Sequence, residues 1–159
     1  GNLVEEERLG ADGRLAPKAS VARREFSYDE RDLLAETRPF GPDGQPSPVH
    51  LVVRTRYDDR GQRVELSYFD AAGRRGLAPG GFSYEETSRD ERGHVLERRF
   101  FDAEGRPVVH QELKAARLRY SYDDLGRKRG EECFDEVGRL LRTNRFGEHT
   151  APEERVNSR

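Results

Sequence analysis

The chain has 159 residues, 38% of them charged, with a net charge of -2. That length suits one ordinary domain, and the balance of acid and base gives a nucleic-acid role no electrostatic footprint. Hydrophobic residues make up 33%, with no Ile, Met or Trp, so the core must be thin. A sheet with a wetted face satisfies that composition better than a layered globule.

No apolar run approaches transmembrane length and no signal-peptide pattern is present, so no membrane association is expected. The single cysteine, Cys133, rules out an internal disulfide and fits a reducing compartment, and a cytoplasmic location is the expectation. The lack of Met reads as a natural start lying upstream, hence as a fragment or processed product.

In chain order, a partial unit is expected near residues 7–17, where Leu9-Gly10-Ala11-Asp12-Gly13-Arg14 looks like the second half of a repeat. Four fuller units follow near 22–48, 49–80, 81–115 and 116–148. Each carries two turn signals. The first are Tyr28-Asp29-Glu30-Arg31-Asp32, Tyr57-Asp58-Asp59-Arg60-Gly61, Asp90-Glu91-Arg92-Gly93 and Tyr122-Asp123-Asp124-Leu125-Gly126. The second are Phe40-Gly41-Pro42-Asp43-Gly44, Phe69-Asp70-Ala71-Ala72-Gly73, Phe101-Asp102-Ala103-Glu104-Gly105 and Phe134-Asp135-Glu136-Val137-Gly138. Within a unit the two turn positions stand 12 residues apart; between units Asp32, Gly61, Gly93 and Gly126 are 29, 32 and 33 apart.

The spacing has a physical reading. Asp three residues before Gly caps the turn through its side-chain oxygen, and Gly supplies the positive φ of a tight hairpin. Asp32 replaces that Gly in the first unit, and Asp tolerates the left-handed region. Twelve residues from turn to turn leave about eight for a strand. Val53-Arg54-Thr55-Arg56-Tyr57 and Leu118-Arg119-Tyr120-Ser121-Tyr122 alternate with period two, placing the arginines opposite the aromatics. The second strands mix apolar and charged groups on both faces, so the sheet is expected to be nowhere deeply buried on both sides. The stretches between units should hold a third strand and a connection, bent at Pro46, Pro48, Pro79-Gly80-Gly81 and His110–Ala116. Gln111–Ala116 could form one helical turn. The fold expected for residues 1–148 is a single all-β domain with little helix: a tandem-repeat antiparallel sheet, a curled or twisted array of hairpins. Residues 149–159 read as a flexible tail.

Arg119-Tyr120-Ser121-Tyr122-Asp123-Asp124-Leu125-Gly126-Arg127 resembles the RHS/YD repeat, marked by Tyr-Asp followed by Gly and Arg or Asn, and Arg56-Tyr57-Asp58-Asp59-Arg60-Gly61-Gln62 is similar. The resemblance covers most of residues 22–140 and implies hairpins stacked side by side into a curling sheet. In bacterial toxins and teneurin-like surface proteins such sheets spiral into a shell or barrel. Four copies are too few to close one. The Phe-Asp-x-x-Gly-Arg half of each unit is similar to short bacterial hairpin repeats, MORN-like ones among them. Nothing matches the self-cleaving aspartyl region that follows the repeats in large RHS proteins.

Catalytic and metal chemistry find little support in the sequence. His50, His94, His110 and His149 lack metal-ligand spacing, Cys133 reads as a small packed hydrophobe, and phosphate-binding glycine loops are absent. The Asp-rich turns lack calcium-loop spacing and are read as turn caps. No enzyme activity, metal or cofactor is expected. The remaining candidate is a surface: Tyr57, Tyr68, Phe82, Tyr84, Tyr120 and Tyr122 with Arg54, Arg56 and Arg119 interleaved, residue types enriched at interface hot spots.

The favoured reading is a peptide- or protein-binding module that works through its sheet edges, with an accessory protein presenting a peptide to partner enzymes as one version. The alternative is a structural piece of a larger YD-repeat wall. Exposed edges also allow an edge-to-edge homodimer.

Overall fold

The computed structural model describes residues Leu3–Glu7 and 21–147. They form ten strands: β1 (Leu3–Glu7), β2 (Arg23–Tyr28), β3 (Leu34–Phe40), β4 (Val52–Tyr57), β5 (Arg63–Phe69), β6 (Tyr84–Arg89), β7 (Val95–Phe101), β8 (Arg117–Tyr122), β9 (Lys128–Phe134) and β10 (Leu140–Arg145). The strands lie side by side in sequence order in one open antiparallel sheet, with no helix among the described residues. β1 and β10 are its two edges. Most of the expected partial unit, residues 8–17, and the tail at 149–159 lie outside the described residues.

Both turn signals fold the same way. In the β4–β5 turn the Gly61 amide donates to the Asp58 carbonyl at 3.0 Å and the Asp58 amide to the Gln62 carbonyl at 2.9 Å. Asp58 Oδ1 accepts from the amides of Arg60 (3.0 Å) and Gln62 (2.8 Å). The β5 turn at Asp70 repeats every one of these bonds, with the Ala72 and Arg74 amides each 2.9 Å from Asp70 Oδ1. Gly61 and Gly73 have φ of 76° and 81°, and Asp32 stands at 59° in the worn copy. A bulge at the Tyr57 position and its counterparts, Tyr28, Arg89 and Tyr122, closes each hairpin and adds local twist.

Two expectations need correction. No third strand lies between units. After the first three second turns the chain makes one bridge to the strand it leaves (Phe40 with Pro46, Phe69 with Arg75, Phe101 with Pro107) and forms no further strand until the next hairpin begins; after the fourth, at Asp135, it enters β10 directly. A separate strand would need an exposed backbone row to pair with, and the incoming hairpin already takes it. The stretch Gln111–Ala116 is also not helical. It is a closed loop in which the Lys114 amide bonds the His110 carbonyl at 2.8 Å and His110 bridges Ala115. Lys114 has a φ of 55°, which ends any right-handed helix there.

The connections supply the core. Ala78 and Phe82 from one and Ala115 from the next pack with Phe100, Leu118 and Cys133 on one sheet face, with Tyr68 and Tyr120 alongside. Phe82 meets Phe100 at 5.2 Å, Tyr68 edge-on at 5.6 Å and His110 at 5.1 Å. Burying one such aromatic contributes about 1.5–3 kcal/mol, so this small cluster holds the centre. Glu85 also lies on this face, 4% exposed, bound by Arg98 through bonds of 2.9 and 3.0 Å. Burial pushes the Glu85 carboxyl up, but its bonds to Arg98 outweigh this and hold it below the usual range.

The opposite face is a wet ladder of arginines and glutamates. Guanidinium groups sit over the phenylalanines that precede the second turns: Arg23 over Phe40 at 4.0 Å, Arg54 over Phe69 at 4.3 Å and Arg117 over Phe134 at 4.0 Å.

Candidate interaction surface

Two devices join each hairpin to the next. In the first, a side chain just before the turn reaches back to the preceding hairpin: Tyr57 Oη donates to the Leu34 carbonyl (3.0 Å), Arg89 Nε to that of Arg63 (3.4 Å) and Tyr122 Oη to that of Val95 (2.9 Å). In the second, the third turn residue reaches forward: Arg31 to the Asp58 carbonyl (2.7 Å), Arg60 to that of Glu91 (3.0 Å) and Arg92 to that of Asp124 (3.1 Å). The fourth turn has Leu125 in that place, 76% exposed. The forward staple stops there.

A third regularity also stops at the last unit. Glu36, Glu65 and Glu97 occupy one position on the wet face, and all three bind arginines. Glu36 holds Arg54 at 2.7 Å and Arg38 at 2.8 Å, Glu65 holds Arg56 at 2.9 Å, and Glu97 lies 3.9 Å from both Arg117 and Arg119. In β9 this position is Gly130, paired across the sheet with Ser121 on β8 and Arg145 on β10. Glu36 pairs with Arg54 and Glu97 with Arg119 in the same register. Arg145 is thus the counterpart of Arg54 and Arg119, facing a residue with no side chain. It forms no ion pair with any described residue.

The missing side chain leaves a groove of about 640 Å³ lined by Arg119, Ser121, Arg129, Gly130, Arg145 and Phe146, among others. It runs to the β10 edge, where five of the six residues from Leu140 to Arg145 are exposed. Leu140, Leu141 and Phe146 are 50%, 48% and 39% exposed, an apolar margin beside the outer backbone of the strand, which pairs with no other described strand.

The nine residues singled out in the sequence do not form one surface. Tyr68, Phe82 and Tyr120 pack in or against the core, and Tyr57 and Tyr122 are inter-hairpin latches. Tyr84 stacks on Phe101 at 4.7 Å under Arg75. Arg54 and Arg56 are paired with Glu36 and Glu65. Arg119 and Tyr120 alone of the nine reach the groove. The residues that shape it, Gly130, Arg145 and Phe146, were not singled out. Aligning the second strands position by position would have exposed Gly130 as the departure from Glu.

Among the described residues no group of three or more His, Cys, Asp or Glu side chains could hold a metal ion. Burial pushes the Cys133 thiol up and the His110 imidazole down, disfavouring the charged form of each. The turn aspartates are engaged in their own loops: Asp70, Asp102, Asp123 and Asp135 are held below the usual carboxylate range, chiefly by backbone amides.

The chain matches no protein-family model and no curated protein.

Proposed function

We propose that the protein is a non-catalytic binding module that takes an extended peptide or protein segment as an additional strand on β10. The carrying observation is that β10 is an exposed edge at which both the forward staple and the repeating glutamate are missing. An edge strand presents alternate amides and carbonyls to an incoming strand, and such addition draws affinity from main-chain bonds and selectivity from side-chain pockets. The groove beside Gly130 is such a pocket. A segment held by one stretch leaves the rest of its chain free, which suits an accessory protein that presents a peptide to partner enzymes.

The loss of the Arg staple at Leu125 favours this reading over a wall of further identical repeats, because a fifth copy of the same hairpin would have no staple to receive. The test is a titration with extended peptides, followed by amide shifts and hydrogen exchange. Changes confined to β10 and the groove support the proposal. Unchanged shifts and exchange at both edges across the peptide set would reject it.

A further inference from the structure

The repeat pattern also specifies the chemistry of the incoming strand, given that a strand does add at β10. We infer that the segment carries an acidic side chain, whose carboxylate binds Arg145 from the outer side.

Arg54 and Arg119 each have a glutamate directly across on the preceding strand, Glu36 and Glu97. Arg145 holds the same register position, and Gly130 stands across from it. Arg54 has its carboxylate on the preceding strand, Arg119 has one on each side, Glu97 at 3.9 Å and Glu132 at 3.8 Å, and on β6 this position is Glu86, across from Glu65. Arg145 alone lies on an edge strand, so its second neighbour is whatever adds to the sheet. Residues directly opposite on antiparallel strands share a face, with Cβ atoms about 4.5–5.5 Å apart. A Glu or Asp opposite Arg145 therefore shares the wet face with the Arg145 guanidinium, which itself borders the space above Gly130. Arg119 and Arg129 line that space and add to its positive potential, while Glu132, 3.8 Å from Arg119, offsets part of it. Phe146 also lines the groove, its ring 5.0 Å from Lys128 Nζ.

The absent side chain does not serve backbone conformation. Gly130 has no positive φ, and a Cβ there would meet only the Ser121 hydroxyl at 2.7 Å and the Asn144 carbonyl at 3.6 Å. A glutamate could be built at this position once the Ser121 hydroxyl rotates away. Its absence thus opens the groove and relieves no more than the contact with the Ser121 hydroxyl.

The experiment uses the full chain and two probes: a short peptide of alternating Thr and Val with one central Glu, and its twin with Gln. The Glu peptide should bind about two- to fivefold more tightly, the margin of an exposed ion pair. The Gly130→Glu variant restores the cis carboxylate and should bring the two affinities together while β10 amides still respond to both peptides. Arg145→Gln should do the same without altering the groove floor. Equal binding of the twins to the native chain, with β10 amides responding, would overturn the acidic specificity and leave strand addition standing. No β10 response to either peptide would remove both. The Arg145 Nε resonance gives a further check without peptide. If it shifts when Glu148, Glu153 and Glu154 are replaced by Gln, the carboxylate comes from this chain's own end and the inference fails. Concentration-dependent protection of β10 would assign the place to a second copy, with the same consequence.

Discussion

The centre of the sheet, β6 to β8, and its C-terminal end, β9 to β10, are built from one repeat, and they differ in what covers them. In the centre the connections fold back over one face, so that Phe100 and Ala115 are wholly buried. The Asp90 turn there is tied forward by Arg92, and Arg99, Arg117 and Arg119 each pair with a glutamate. At the end the chain passes straight from the Asp135 turn into β10, with no folded-back connection. Leu125, Gly130 and the exposed β10 mark the same boundary. Stability is thus concentrated where connections supply aromatic side chains, and the exposed edge lies where they stop.

That contrast can be tested by mutation, beginning with the largest effect. Phe100→Ala should cost about 3–5 kcal/mol in urea unfolding, by transfer and cavity terms together, whereas Phe146→Ala should stay within about 0.5 kcal/mol. Comparable losses at the two positions would contradict the division. Glu85→Ala leaves the Arg98 guanidinium without its partner beneath the core and should cost about 3 kcal/mol. A change near zero would show that this pair is solvated in the folded protein.

Glycines sharpen the comparison at a smaller scale. Gly138 has a φ of 84° with no atom near its missing Cβ, so Gly138→Ala isolates backbone strain and should cost about 1 kcal/mol. Gly130→Ala, with no positive φ, should alter stability by less than about 0.5 kcal/mol. If Gly130→Ala proved the costlier change, the glycine would be structural and the groove incidental.

The turn aspartates give the finest test. Their carboxyls are depressed in the folded chain, so their contribution is present above the unfolded value and lost as pH falls through the folded one. Wild-type stability should therefore fall on acidification below about pH 5, where the unfolded chain takes up protons first. The double variant Asp70→Asn, Asp102→Asn should show a shallower fall, because an amide keeps the turn bonds without titrating. Parallel pH profiles would show that these carboxylates do not couple to folding.

Much of the fold was legible in the sequence because the turns are local. Asp, Gly and the twelve-residue step fix each hairpin through bonds between near neighbours, and even the Asp32 exception was readable. The connections were not, because their conformation depends on contacts such as Phe82 with His110, far from either in sequence. The same limit applies to the surface. Tyr57 and Tyr122 look like hot-spot aromatics in a linear reading, yet their hydroxyls are committed to carbonyls of the preceding hairpin. Arg145 gains meaning only from strand register, which places it opposite Gly130.

The central claim is that the sheet is complete in its middle and open at β10. Residue-resolved hydrogen exchange with the Glu-bearing peptide tests it most directly. Without peptide, the outward-facing amides of β10 should exchange much faster than those of β6 and β7. With peptide, alternate β10 amides should become protected while β1 and the centre stay unchanged. Protection at β1 instead, or no change at β10 under saturating peptide, would contradict the account.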